Sequence, residues 1–420
     1  MFTKYNGSPT VNSASKTYIF LGTGVTSVSG APLYYQRKKR YLEQKGWKVR
    51  IFTFVEGTAA LAELKMFEED IVPELKYLPV FYSRRQRTHI LDCLAQKVPA
   101  RSECVIESNR PLIAPWGELL AERLQAKHIL FCLDEQPHSY GNDFQKFIWF
   151  KYYRNEVATI YRAIIRLLLG RRRGDKSLDP VRLSVAPTGA VGQVADVSFD
   201  DSRILSGRIN VLSVGRLDKP YVLPIMREFA DYAIANSDLS FNLIIVGHDE
   251  SAEAELLLLF EAVPNVNLLC MGELHPIPEK LLHDVDVAIA TAGAAALCRR
   301  FSLCTISIDT VDYQPIGILG YNAKSRTFRL RREPPVPLAD LLDMILREKV
   351  VQSHFRLPET YGLEEDYSSH FDFIEQSSPE KEYYHFTSSI RDKIIMIAGA
   401  IIGLENCNKL LKFFQRSKKK

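Results

Sequence analysis

"INVLSVGRLDKP" runs from Ile209 to Pro220. An apolar, β-branched run stops at Gly215, and Arg216 and Lys219 follow within four residues. Such a run fits the pleated surface of a buried strand. Glycine then lets the backbone turn sharply where the strand ends. In open α/β sheets, ligands bind beyond the carboxyl ends of the strands. A guanidinium there offers planar, paired donors to phosphate oxygens, and an ammonium offers a point charge. The stretch reads either as a diphosphate clamp or as two solvated cations on a loop, and its surroundings must decide.

Downstream, apolar strands are expected at 208–214, 241–247, 266–271, 286–291 and 304–309. They alternate with helices at 221–236, 251–262, 276–283, 294–301 and 337–348. The strands are apolar nearly throughout, as expected when helices cover both faces of a parallel sheet. The second half is thus a doubly wound α/β domain. Upstream, "TYIFLG" (Thr17 to Gly22) is a strand, and a loop with Gly22, Gly24 and Gly30 follows it. Pro32 opens a helix that Gly46 ends, and "WKVRIFTF" returns as a strand from Trp47 to Phe54. Further strands are expected at Glu103 to Ser108 and His128 to Leu133, with the helix "WGELLAERLQA" between them. Residues 143–170 have helical composition, and the excursion from Pro358 to Glu382 precedes a last helix from Ser389. The expected domains are 1–200, 201–388 and a C-terminal helix with a basic tail, 389–420, crossing back to the first domain.

The chain has 420 residues, more than one hydrophobic core usually serves. With 46% hydrophobic and 25% charged residues it is an ordinary globular composition, which excludes a disordered or fibrous chain. A net charge of +4 is too small to imply nucleic acid, and no nucleic-acid partner is expected. The seven cysteines form no C-x-x-C pair and are odd in number, which fits free thiols in a reducing cytosol. "MFTKYNGSPTVNSASK" lacks the apolar core of a signal peptide. The longest apolar run, Ile394 to Leu404, would reach about 16 Å as a helix. A bilayer core is about 30 Å thick, so the run does not span it. A cytoplasmic protein is expected.

"VLSVGRLDK", "LIIVGHDE", "NVNLLCMGEL", "DVDVAIAT" and "CTISID", in this order, resemble the C-terminal domain of family-4-like glycosyltransferases of the GT-B fold, the capsular and exopolysaccharide type. "FLGTGVTSVSGAPLYYQRKKRYLEQKGWKVRIFTF" resembles that family's Gly-rich opening. The resemblance implies two Rossmann-like domains facing a cleft and a nucleotide-diphosphate sugar as donor. It also implies a glycan or lipid-linked glycan as acceptor, retention of anomeric configuration, and no separate cofactor or metal. Arg216 and Lys219 would stabilise the departing diphosphate. Gly30, Gly215, Gly247, Thr291, Gly293 and Ala294 would line the donor. Glu135 and His138, in "CLDEQPHSYG", would face the sugar and the acceptor side. The family's glutamate pair is missing: alignment through "CTISID" puts Leu297 at the second position and Ile289 near the first. A turn entering a helix can still hold phosphate through its N–H groups.

Asp284-Val285-Asp286 precedes a strand rather than following one, so it reads as structural and not as a metal-binding D-x-D. The glycines at 22, 24 and 30 do not have G-x-G-x-x-G spacing. "FQKFIWFKYYRNEVATIYRAIIRLLLGRRR" mixes aromatics with cations, which suits either a weak contact with anionic lipid at the inner face of the membrane or a core helix. The basic tail "LLKFFQRSKKK" suits the first reading and equally an ordinary solvated end. Two alternatives to a transferase stay open: a non-catalytic relative that binds a nucleotide sugar or a partner enzyme, and a nucleotide-sugar epimerase.

Overall fold

The computed structural model describes residues 15–100, 102–134, 142–160, 164, 168–169, 181–183, 194–323, 325–329, 333–349 and 367–407. The chain divides into two compact units. One comprises Met1–Ser27, Ala31–Val185 and Asp366–Lys420, and the other comprises Val28–Gly30 and Ala186–Glu365.

In the first unit the strands are β1 (Lys16–Leu21), β2 (Trp47–Phe52), β3 (Glu103–Ser108), β4 (Lys127–Cys132), β5 (Val157–Thr159) and β6 (Val181–Arg182). They pair in the order β2-β1-β3-β4-β5-β6, all parallel. Helices α1 (Gly30–Gln44), α2 (Arg84–Gln96), α3 (Ala114–Leu124) and α4 (Asn142–Tyr153) connect them. Ile19, Leu21, Ile106, Ile90, Leu94, Trp116 and Leu120 form one core, and Leu130, Cys132, Phe147 and Ile148 belong to another. The strand order reverses between β1 and β3.

The second unit holds β7 (Val194–Ala195), β8 (Ile209–Val214), β9 (Phe241–Val246), β10 (Val266–Cys270), β11 (Ile277–Pro278), β12 (Val287–Ala290), β13 (Thr305–Ile308) and β14 (Pro315–Ile318). Its helices are α5 (Val222–Ala235), α6 (Glu250–Glu261), α7 (Glu279–His283), α8 (Ala292–Arg300) and α9 (Leu338–Leu346). The main sheet runs β10-β9-β8-β12-β13-β14, parallel except for the last pair. In order of appearance this is 3-2-1-4-5-6, the order of dinucleotide-binding folds. Alternate side chains explain the continuous apolar runs. Val211 and Ile289 enter a core on one face, while Leu212, Ala288 and Ala290 enter a core on the other.

Some expectations change. The stretch 143–170 is not one helix: α4 ends at Tyr153 and β5 follows at Val157. On one side its described part is core, because Phe144, Phe147 and Ile148 are buried, while Tyr153 is exposed. Lys151 does not snorkel outward but lies between Glu118 at 2.8 Å and Glu156 at 2.6 Å. Arg171 to Arg173 fall outside the described residues. Helix α2, capped by Ser83, escaped the sequence reading, and so did β14. Within the C-terminal excursion, residues 368–376 form a helix, α10 (Ser368–Gln376). The last helix, α11 (Ile390–Ile402), starts where expected, with Ser389 and Asp392 forming a capping box.

Helix α10 is tied to the first sheet by a buried polar network. Lys38 Nζ on α1 lies 2.5 Å from Glu107 Oε2 on β3, 2.8 Å from the Tyr18 hydroxyl, 3.0 Å from the Tyr34 hydroxyl and 3.0 Å from His370 Nδ1. Both tyrosine hydroxyls donate to Glu107, as does Asn109 Nδ2 at 2.6 Å. Burial alone would raise the Glu107 carboxyl, but the Lys38 ammonium and His370 outweigh it and hold it below its ordinary value. Deleting one partner of such a pair strands a buried charge, at a cost of about 3–5 kcal/mol. Lys38→Met should therefore destabilise the first unit by that order, and Lys38→Met/Glu107→Gln by clearly less than the sum of the singles. All three tryptophans (Trp47, Trp116 and Trp149) lie in this unit, so denaturation followed by tryptophan fluorescence reads it directly. Strict additivity would show that the network does not act as a pair.

Candidate functional site

In the second unit the strand order reverses between β8 and β12, and a crevice opens beyond the carboxyl ends of strands at such a point. The residue after β8 is Gly215 and the residue after β12 is Thr291. Gly215 adopts φ +147 and donates its N–H to Val246 O at 2.9 Å. Gly247, next to it at the end of β9, adopts φ +152. A Cβ on Gly247 would stand 1.9 Å from the Gly215 carbonyl oxygen. The two loops pass each other backbone against backbone, and only glycine permits that approach.

Arg216 is half-buried, and its Nε lies 3.2 Å from Asp218 Oδ1 without hydrogen-bond geometry. Lys219 is half-buried, and its ammonium has no ion-pair partner among the described residues. Across the crevice, α8 begins at once after β12. The Thr291 hydroxyl donates to Ile308 O at 2.8 Å rather than capping the helix, so its hydrogen is committed to the backbone. The Ala292 N–H goes to Arg326 O at 2.7 Å, and the Ala295 N–H to Thr291 O at 3.2 Å. The N–H groups of Gly293 and Ala294 are left without an acceptor among the described residues. Gly293 is exposed, and nothing stands within 4 Å of the place a Cβ would take. Two free donors at the positive end of a helix suit an anion.

Sequence reasoning passed over Arg326. Its carbonyl caps α8, and its half-buried guanidinium has no ion-pair partner among the described residues. It sits 35 residues beyond Thr291 with no motif around it, so only the fold could bring it here. Asp309, just after β13, holds the neighbouring loops by accepting the N–H groups of Val311 and Arg329, each at 2.7 Å.

Leu297 and Ile289 do not face the crevice. Both are buried, Leu297 in the core beneath α8 and Ile289 in the core on the other face of β12. Only Thr291 separates strand from helix, so there is no loop in which a carboxylate could approach a ligand. Asp286 accepts the Asn210 N–H at 2.8 Å, which pins the amino ends of β12 and β8 at the edge opposite the crevice. A hollow of about 510 Å³ lined by Phe199, Arg203, Met271 and Glu273 lies against β10, two strands away from the crevice.

Glu135 and His138 fall outside the described residues. Gly30 is exposed at the start of α1, and nothing lies within 4 Å of where its Cβ would be. Internal packing therefore does not require that glycine. By contrast, a Cβ on Gly22 would meet the Tyr35 hydroxyl at 2.2 Å, and one on Gly24 would meet Val55 Cβ at 2.8 Å. Where the strand order of the first unit reverses, Arg110 follows β3, exposed and with no ion-pair partner among the described residues.

The first unit also contains the hydrogen bonds of a nucleophilic triad. Ser108 Oγ lies 3.0 Å from His128 Nε2, and His128 Nδ1 lies 2.7 Å from Glu118 Oε2. All three are buried, and the backbone of Gly117 closes over them. No substrate reaches this serine, and the arrangement is structural. Burial and the Lys151 ammonium push the His128 imidazole down to about 4 against the pull of Glu118. Burial alone would raise the Glu118 carboxyl, but Lys151 and His128 hold it at about 2.

No sequence-family profile matches the chain, and no curated protein is similar to it in sequence. Solved structures are similar in fold. A glycosyltransferase from Rickettsia africae ESF-5 matches with a TM-score of 0.56 at 11% identity, over 80% of this chain and 89% of that one. TarM matches with a TM-score of 0.55 at 9% identity, over 86% of this chain and 98% of that one. HepE from Anabaena, in complex with UDP and glucose, matches with a TM-score of 0.53 at 12% identity, over 81% and 92%. The chain has the GT-B glycosyltransferase fold. The GT-B fold accounts for two parallel sheets in one chain, each with its own reversal of strand order.

Gly247→Ala should destabilise the second unit by about 1–3 kcal/mol from the backbone conformation alone, with the clash against Gly215 added. A melt followed by circular dichroism should show an early transition that tryptophan fluorescence does not report. A wild-type melt would mean that the two loops separate freely. His128 gives a pH signature. Unfolded imidazole binds a proton at about 6.5, and the buried one only at about 4. Between these values the unfolded chain binds more protons, so stability falls with falling pH, by about 3 kcal/mol in all. His128→Gln should flatten that slope in urea titrations of tryptophan fluorescence between pH 6.5 and 4.

Proposed function

We propose that the chain is a glycosyltransferase that moves a sugar from a nucleoside-diphosphate donor to a glycan or lipid-linked glycan, as family-4-like enzymes of polysaccharide assembly do. The observation that carries this reading is the crevice between β8 and β12. A half-buried lysine and two helix N–H groups without partners among the described residues, with a half-buried arginine, follow the two strands at the switch point of a sheet in dinucleotide-binding order. These are donors for a diphosphate. The fold likeness to HepE, which was captured with UDP and glucose, makes a uridine nucleotide the first donor to try.

When the sugar leaves, negative charge grows on the diphosphate oxygen. Fixed cations and N–H dipoles stabilise that charge more in the transition state than in the ground state. Arg216 and Lys219 carry this role, and the N–H groups of Gly293 and Ala294 hold the second phosphate. Gly30 leaves space at the start of α1, Glu135 is kept as a catalytic candidate facing the sugar, and His138 as a candidate on the acceptor side. The second reading is a relative that binds a nucleotide sugar without turning it over. It is favoured by the stretch from Ala290 to Arg300, which contains no carboxylate.

Titration calorimetry with UDP tests the site. Arg216→Ala and Lys219→Ala should each weaken UDP binding by about 1.5–3 kcal/mol, the scale of a charged hydrogen bond. Their melting curves should match the wild type, because both residues lie on a loop. Unchanged UDP affinity in both variants would remove the assignment. Hydrolysis of a UDP-sugar by the wild-type protein, lost in Arg216→Ala, would separate an enzyme from a non-catalytic binder.

A further inference from the structure

Helix α11 carries an apolar stripe that the protein leaves uncovered. Ile390, Ile394, Ile397 and Ile401 follow one another at helical spacing, so all four fall on one narrow face. They are 78%, 61%, 57% and 77% exposed. The opposite face is the one that packs. Ile395 is buried, the helix lies against the turn Pro79–Phe81, and Leu404 just beyond it joins the core that holds Ile90 and Leu94 of α2. The helix is thus anchored by one side, and its free side is as apolar as a core. Soluble monomers rarely leave such a patch without a partner.

The charge around the stripe says what covers it. Lys393 is exposed on the same helix, where Asp392 is taken up by the capping box, and Glu405 follows it. The turn beneath α11 leads directly into α2, which opens with Arg84, Arg85 and Arg87, none with an ion-pair partner among the described residues. The sequence beyond Cys407 adds Lys409, Lys412, Arg416 and Lys418 to Lys420, with no acidic residue. A second copy of this chain would bring the same cations against themselves. An anionic surface would not.

We propose that α11 is an interfacial membrane helix. Its isoleucine stripe enters the acyl boundary of an anionic bilayer, and the flanking cations meet the lipid headgroups. The inference stands independently of the donor site. At 13 residues the helix lies in the plane of the surface, and among the described residues no helix is long and apolar enough to cross a membrane.

The test is co-sedimentation of the full chain with vesicles of phosphatidylcholine alone or of phosphatidylcholine with phosphatidylglycerol. The wild type should sediment with the anionic vesicles only, and less at high salt. Ile394→Ser/Ile397→Ser/Ile401→Ser should lower the partition coefficient by roughly tenfold or more. Arg84→Gln/Arg85→Gln/Arg87→Gln should lower it on anionic vesicles too. Tryptophan-fluorescence melts should stay at the wild-type midpoint, because every substituted side chain is at the surface. Three results would overturn the proposal. One is no sedimentation of the wild type. Another is sedimentation of the isoleucine variant equal to the wild type, which would leave the tail charge as sole cause. The third is a wild-type dimer in analytical ultracentrifugation that the isoleucine variant abolishes, which would make the stripe a protein interface.

Discussion

The buried pair of Lys38 and Glu107 is the contact on which the first unit depends. An ammonium and a carboxylate without water persist only when each has partners all round. Here Tyr18, Tyr34, Asn109 and His370 supply them. The partners come from β1, α1, the end of β3 and α10, so the pair fixes the register of four elements at once. It also brings in a residue 332 positions away in sequence. A core of leucines could hold the same elements with more slack. A network in which every donor needs its acceptor tolerates one arrangement only.

The second unit is specified differently. Strand order and two glycines shape its crevice, and buried Asp309, 3.7 Å from Arg329 Nε, ties the loops beyond β13. Gly247 presses against the carbonyl of Gly215, which brings the loops after β9 and β8 together. The loop after β8 carries Arg216 and Lys219, and α8 opens just after the neighbouring strand, β12. The proposed diphosphate site rests mainly on backbone geometry, with side-chain charge added at a few positions. Such a site does not need a carboxylate at Leu297, which serves the core instead.

Much of this was legible in the sequence. Apolar runs placed β8, β9 and β12 within a residue or two, because strands buried on both faces cannot hide their composition. The last helix was expected from Ser389, and α11 starts there. What escaped depended on distance. Arg326 reaches the crevice only through the pairing of β13 with β14. The bonds of Ser108, His128 and Glu118 join residues that no local pattern connects. Helix α4 misled for a physical reason: Lys151 looks like a snorkelling cation until Glu118 and Glu156 are seen to bracket it. Ile289 and Leu297, aligned with the missing glutamate pair, are core positions because β12 passes into α8 with one residue between them.

The return of the chain to the first unit has a consequence for synthesis. A ribosome delivers residues in order, at about 5–20 per second. The second unit has its last described helix, α9, by Leu346, while the first unit still lacks α10 and α11. Until His370 emerges, Lys38 and Glu107 lie under a missing roof, with their polar atoms open to water. The part of the protein made first is therefore finished last. The nascent chain carries a half-built amino-terminal unit through the whole time needed to complete its neighbour. A stop just after Glu365, before α10, would spare the second sheet and leave the first one unroofed.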